Sequence, residues 1–198
     1  MEESSRIEKS VIRSLDSLKC CYEWIPVHPD YADTISFCDK YGYDLDHSGN
    51  TILIVSKRGE KKYSACIVKG SDRLDVNKKV KSLMEVKRLS FASPVETNNI
   101  TGMMIGGVTP YGLPLSIPIY IDDKIMLLDY VILGAGSRSA KIKVAPESLL
   151  NIPTATVITG LSLDYPLSRP VINERPLKII FRRLSEISSH TLPQIGYH

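Results

Sequence analysis

Gly106-Gly107-Val108-Thr109-Pro110-Tyr111-Gly112 is the stretch where the hydropathy pattern of this 198-residue chain breaks. Glycine and proline crowd here into a loop-building composition that neither a helix nor a strand sustains. On its C-terminal side the pattern turns to strands. Ile117–Ile121, Tyr130–Leu133 and Ala140–Val144 read as strands. They are separated by Asp122-Asp123, read as a turn, and by a second small-residue loop, Gly134-Ala135-Gly136-Ser137-Arg138-Ser139. Pro146 and Glu147 then open a short helix.

On the N-terminal side helices alternate with strands. Ser93-Pro94-Val95-Glu96 carries an N-cap, a proline at the first helical position and a glutamate three residues after the cap, which starts a short helix. Arg88–Phe91 reads as a strand, and Asp75 caps a helix whose Val76, Val80, Leu83 and Met84 share a face. Thr51–Val55 and Tyr63–Val68 form a β-hairpin across the polar turn 57–62. A helix from Asp33-Thr34 stops at Gly42, Tyr22–Val27 is a strand, and Ile7, Val11, Ile12, Leu15 and Leu18 make residues 6–19 an amphipathic helix. The order predicts one compact α/β domain over residues 1–162. The proline-containing segment 163–198, with a helical period only at Leu177–Leu184, is read as an appendage.

Composition narrows the function. At 43% hydrophobic and 24% charged residues the chain is an ordinary globular one. Net charge is only +3, yet residues 1–49 hold 5 Lys/Arg against 10 Asp/Glu, and residues 57–88 hold 11 against 4. In that basic stretch Lys61, Lys62, Arg73, Lys78, Lys79 and Lys81 are candidates to follow a phosphate backbone, a solvated surface being the alternative. The first residues have no secretory pattern, and the longest apolar stretch, Ile125–Gly136, is short and interrupted by Asp129. Cys20, Cys21, Cys38 and Cys66 contain no CxxC pair, so reduced thiols, a cytoplasmic location and no membrane are expected. His28, His47, His190 and His198 have no metal-ligand spacing, so neither a metal nor a cofactor is expected.

The candidate chemistry lies in the two loops. Gly106 to Pro110 has the form Gly-x-x-x-Pro, in which backbone N–H groups approach a ligand without obstruction from a Cβ. Spacing alone leaves open a plain tight turn, the commoner use of such residues, and a grip on a carbonyl or phosphate. No Gly-Lys-Ser/Thr and no GxGxxG is present, which disfavours nucleoside-triphosphate chemistry. Gly134, Gly136, Ser137 and Arg138 are expected to face the first loop across a pocket, a hairpin bend being the alternative. No Ser/His/Asp or Cys/His set presents itself, and Cys38 and Cys66 sit in apolar patterns typical of core thiols.

Taken together, these residues resemble a known family. Ala32-Asp33-Thr34 with Phe37-Cys38, Asn50–Val55, Leu74-Asp75-Val76, Ala92–Glu96, Thr101-Gly102, Gly106–Pro114, Tyr120-Ile121-Asp122 and Gly134–Arg138 follow, in order and spacing, the YbaK family of aminoacyl-tRNA deacylases. That family is related to the editing domain inserted in bacterial prolyl-tRNA synthetases, and the resemblance covers about residues 20–158. It implies a mixed, largely antiparallel and curved sheet flanked by helices, and a pocket for a misattached amino acid and the terminal adenosine of tRNA. In that pocket Gly106, Gly107, Thr109 and Pro110 form the carbonyl-binding loop and water cleaves the ester. The implied function is trans-acting hydrolysis of a tRNA mischarged with a small amino acid; the partners are aminoacyl-tRNA and, as a further candidate, a synthetase.

One position departs from the pattern. Where active family members commonly carry a Lys at the start of a strand, this chain has Asn50, whose amide hydrogen-bonds but supplies no positive charge. Three readings follow: Arg138 compensates, the site serves another substrate, or the domain is a tRNA- or synthetase-binding module without activity. Gly107 is expected to tolerate a side chain structurally while losing the carbonyl grip.

Overall fold

The computed structural model describes residues 2–164. Helix α1 (Glu2–Ser17) leads to strand β1 (Tyr22–Pro26) and then α2 (Thr34–Tyr41), which Gly42 ends in the left-handed conformation at φ +74°. The hairpin β2 (Gly49–Ser56) and β3 (Tyr63–Lys69) follows, paired from Gly49↔Lys69 to Val55↔Tyr63. Next come β4 (Asp72–Leu74), a π-helical turn at Val76–Val80, α3 (Lys81–Leu83) and β5 (Leu89–Phe91). Helix α4 (Pro94–Thr101) opens with the expected capping box, Ser93 and Glu96 bonding each other's backbone N–H. The Gly106 loop precedes β6 (Ile119–Asp122), a 3-10 turn at Asp123–Leu127, β7 (Val131–Gly134) and β8 (Ala140–Val144). After a 3-10 turn at Pro146–Asn151 the described chain ends in β9 (Ala155–Ile158) and β10 (Ser162–Asp164).

Three points refine the expected layout. The single sheet is divided into a mixed five-stranded sheet, β5-β2-β3-β6-β9, an antiparallel one, β1-β8-β7, and a two-stranded ribbon, β10-β4. Among the described residues five of the seven strand pairings are antiparallel; β3–β6 and β6–β9 are parallel. Strands β4, β9 and β10 escape the sequence reading because each is only three or four residues long and carries no clear alternation. Strand β10 runs two residues past 162, and the rest of the expected appendage lies outside the described residues.

The two larger sheets share one core. Leu53, Ala65 and Ile67 from the first meet Val131, Leu133 and Ile142 from the second, with Val11 and Leu15 of α1 closing the open side. Alternation puts the intervening residues on the outer faces, where Ile54, Cys66 and Val68 pack against Val80 and Met84. Ile25 and Ile132 likewise pack against Phe37 and Cys38 of α2. Both faces are therefore covered, which accounts for the unbroken apolar run of β2. Cys66, fully buried, is a core residue whose thiol is pushed up to about 12 by desolvation. Among the described residues no helix is long and apolar enough to cross a membrane.

Candidate active site

A cavity of about 280 Å³ opens where β2 passes the Gly106 loop. Its lining includes Thr34, Asn50, Thr51, Phe91, Thr97, Gly106, Val108, Gly134 and Lys141. Asn50 stands where the hairpin begins, and its Oδ1 accepts a 2.6 Å hydrogen bond from the Thr34 hydroxyl at the start of α2. The strand thus aims the side chain and the helix holds it.

The two glycine loops do not face each other across this cavity as expected; they are bonded together beside it. Gly136 N–H donates to the Gly107 carbonyl at 2.6 Å and Met104 N–H to the Gly136 carbonyl at 3.0 Å. A Cβ on Gly107 would lie 1.9 Å from the Ser137 carbonyl oxygen, and one on Gly134 would lie 2.2 Å from the Gly107 oxygen. Close backbone approach, not ligand access, is what requires glycine at 107. The expectation that Gly107 tolerates a side chain is overturned.

The loop's own amides divide into engaged and open ones. Gly107 N–H is held by the Met104 carbonyl at 2.9 Å, and Thr109 N–H meets the Met103 sulfur at 3.5 Å. Gly106 and Val108 N–H have no acceptor among the described residues, and both residues line the cavity. Thr109 is fully buried and Pro110 is buried, so these two shape the loop from behind.

The second loop faces inward. Ser137, fully buried, donates its hydroxyl to Glu8 of α1 and accepts from Ser139 N–H at 2.9 Å, while Gly136 packs on Ile7 and Val11. Arg138 is engaged beside the cavity: it forms a fork on Asp33 at 3.2 and 3.1 Å and also donates to the carbonyls of Ile105 and Pro29. The guanidinium holds the Asp33 carboxyl below its usual range, which leaves Asp33 no side-chain bond for capping α2. Of the expected second-loop residues, only Gly134 lines the cavity.

The cation in the cavity lining is one the sequence reading missed. Lys141 enters from β8, is 7% exposed, and donates from Nζ to the Gly106 carbonyl at 2.9 Å. Desolvation lowers its ammonium to about 8. In Ala140-Lys141-Ile142-Lys143-Val144 strand alternation puts both lysines on one face, and α2 covers Lys141 there, with the Phe37 ring centre 5.8 Å from Nζ. Lys143, two residues on, is paired instead with Glu23 at 3.4 Å. None of the six basic candidates lines this cavity: Lys61 and Lys62 border a separate groove with Tyr63 and Tyr120, Lys78 and Lys81 a shallow depression. Lys61 is also paired with Glu96 at 2.5 Å.

Comparison with known proteins gives this geometry a family. Residues 28–152 match the aminoacyl-tRNA editing domain. A protein of Enterococcus faecalis named "Putative Cys-tRNA(Pro)/Cys-tRNA(Cys) deacylase EbsC" is 27% identical over 124 residues, which cover 62% of this chain and 73% of that protein. A proline–tRNA ligase of Caldicellulosiruptor saccharolyticus is 33% identical over 126 residues, 62% of this chain but 22% of the ligase. In fold, the chain is similar to the crystal structure of "a putative trans-editing enzyme for prolyl tRNA synthetase", with a TM-score of 0.66, 22% identity, and coverage of 77% of this chain and 95% of that one. The match over residues 28–152 spans the loop, the cavity and the strands that carry them, and on it this chain belongs to the aminoacyl-tRNA editing domain family.

Proposed function

We propose that the chain is a trans-acting deacylase that hydrolyses the ester of a tRNA mischarged with a small amino acid. The observation that carries this reading is the composition of the cavity. Among its described lining residues there is no Ser, Cys, His, Asp or Glu; its polar groups are backbone amides, threonine hydroxyls, the Asn50 amide and the Lys141 ammonium. Such a site has no Ser, Cys or His machinery for covalent catalysis and needs none, because an aminoacyl ester is already activated. Orienting its carbonyl toward fixed donors, with a water and the neighbouring ribose hydroxyl in reach, supplies both proximity and stabilisation of the developing oxyanion.

The open N–H groups of Gly106 and Val108 are the donors this reading assigns to the carbonyl. Gly107, Thr109 and Pro110 hold the loop's shape, and Asn50 orients the substrate from the opposite wall. A cavity of about 280 Å³ lies at the small end of ligand sites, which span roughly 300–1,000 Å³, and so favours a small side chain. Aminoacyl-tRNA is the proposed partner, and the basic stretch its proposed contact. The charge that Asn50 lacks is not supplied in this reading by Arg138, which is taken up by Asp33; the cation of the cavity lining is Lys141, held on the Gly106 carbonyl.

Deacylation assays over a panel of tRNAs mischarged with alanine, serine, cysteine and larger residues test the reading. Hydrolysis of a small-residue ester above the uncatalysed rate is expected; background rates throughout would leave a binding module of the same fold. Asn50→Lys separates the two further, since activity appearing only in the variant marks the natural chain as a module.

A further inference from the structure

A lysine buried to 7% exposure persists only where its ammonium is hydrogen-bonded and its charge is compensated. Lys141 lies on β8 between Ile25 of β1 and Gly134 of β7, neither of which offers it a charge or a side-chain acceptor. The ionisable groups that face it are Asp33 before α2, Cys38 within α2 and Arg138 ahead of β8; Asp33 favours the ammonium and Arg138 opposes it. Its acceptor is the Gly106 carbonyl at 2.9 Å.

That carbonyl is one of three in succession held by donors from outside the loop. Ile105 O accepts from Arg138 at 3.3 Å, Gly106 O from Lys141, and Gly107 O from Gly136 N–H at 2.6 Å. In a trans peptide the C=O and the following N–H point in opposite directions, so holding each carbonyl also sets the direction of the next amide. Gly106 itself sits at φ +86°, a conformation that the bonds on its two flanking peptides maintain. Of the two side chains in this set, only Lys141 also lines the cavity.

We infer that Lys141 is a positioning residue: its ammonium holds the Gly106 carbonyl and so fixes the Gly106–Gly107 peptide, whose own N–H is bonded to Met104 O, as the link between the two open amides, those of Gly106 and Val108, that turn to the ligand. This rests on the deacylase reading for what the ligand is, but not for what the lysine does to the loop. A consequence is a dependence on pH. The ammonium is lowered to about 8 by burial, so the charge-assisted bond is complete below that value and weakens above it as the proton is lost.

The experiment has two arms. In the first, deacylation is corrected for uncatalysed ester hydrolysis and followed from pH 6.5 to 9.5. The natural protein should lose activity above about pH 8, approaching tenfold per unit, whereas Lys141→Gln should be slower by roughly 10–100-fold and flat across the range. A variant that is slower but keeps the same alkaline fall would overturn the assignment, because the titrating group would then lie elsewhere.

The second arm needs no substrate. The 13C carbonyl resonance of Gly106 is followed in the free protein over the same range. It should move with the titration of the Lys141 side chain, read at its own Cε, and stay fixed in Lys141→Gln. A carbonyl that ignores the lysine overturns the inference even if deacylation is confirmed, while a coupled carbonyl in a protein without deacylase activity sustains it and removes the functional reading alone. Should Lys141→Gln fail to fold, the titration of the natural protein decides by itself.

Discussion

Where the Gly106 loop meets the Gly134 loop, backbone touches backbone and successive carbonyls are held by fixed donors; along residues 57–88, side chains reach into water and few have a partner. In the seam, four consecutive carbonyls, Met104 to Gly107, each accept a hydrogen bond. In the basic stretch Lys62, Arg73, Lys78 and Lys81 are exposed, and the closest ion pair, Lys61 with Glu96, is itself exposed. The first region is specified by shape and the second by charge. A single methyl group should therefore disrupt the one, while removal of several whole charges should leave the folded state of the other nearly unchanged.

The largest effect is expected from Gly107→Ala. A Cβ at 1.9 Å from the Ser137 carbonyl oxygen meets three Ser137 backbone atoms within 3 Å, so no side chain can rotate away to make room. Overpacking of this kind costs about 3 kcal/mol or more, which for a domain of this size lowers Tm by roughly 6–12 °C. Gly112→Ala is the matched case: its φ of +83° is strained for alanine, but the nearest atoms are 3.9 Å away, so a loss of about 1 kcal/mol is expected. Equal melting temperatures for the two variants would break the contrast, since close approach would then matter no more than dihedral strain.

An intermediate effect tests the polar side of the seam. Ser137→Ala removes the hydroxyl that joins Glu8 to the second loop and leaves both Glu8 and Ser139 N–H to find other partners. A loss of about 1.5–3 kcal/mol in a denaturant titration is expected, as for bonds involving a charged group. A loss below about 0.5 kcal/mol would mean that water replaces the serine, and that the seam is wetter than its burial implies.

The smallest effects on stability belong to the basic stretch. Neutralising Lys61, Lys62, Arg73, Lys78, Lys79 and Lys81 together should shift Tm little, because exposed charges contribute about 0–1 kcal/mol each way. The same variant should bind tRNA more weakly, with the slope of log K against log salt reduced by about one for each phosphate that is no longer neutralised. An unchanged slope would identify a solvated surface. Glu96 is the exception within this region. Hydrogen bonds from Lys61 and Ser93 hold its carboxyl down at about 2. The stabilisation they give is present above the ordinary glutamate range and is lost as pH falls toward 2, so Lys61→Ala should flatten the acid limb of a stability profile.

Local chemistry was legible without coordinates. The capping box at Ser93 and Glu96, the left-handed stop at Gly42 and the hairpin of β2 and β3 each depend on residues a few positions apart, and each stands where the sequence places it. The family was legible too, through the order of its motifs, and it pointed to a loop whose Gly106 and Val108 line the cavity.

What the sequence could not decide was which side of each loop would be used. Gly106 and Gly107 look alike in a string of letters. In the fold one lines the cavity and the other is pressed against Ser137, because that depends on strands β7 and β8 bringing a second loop, some thirty residues away, into contact. Arg138 and Lys141 carry the same charge on neighbouring stretches of chain, but Asp33 engages the first and the turn into α2 buries the second under Phe37. Alternation along a strand tells only that residues two apart share a face; whether water or a helix covers that face is settled by long-range packing, and here packing put the lysine in the cavity.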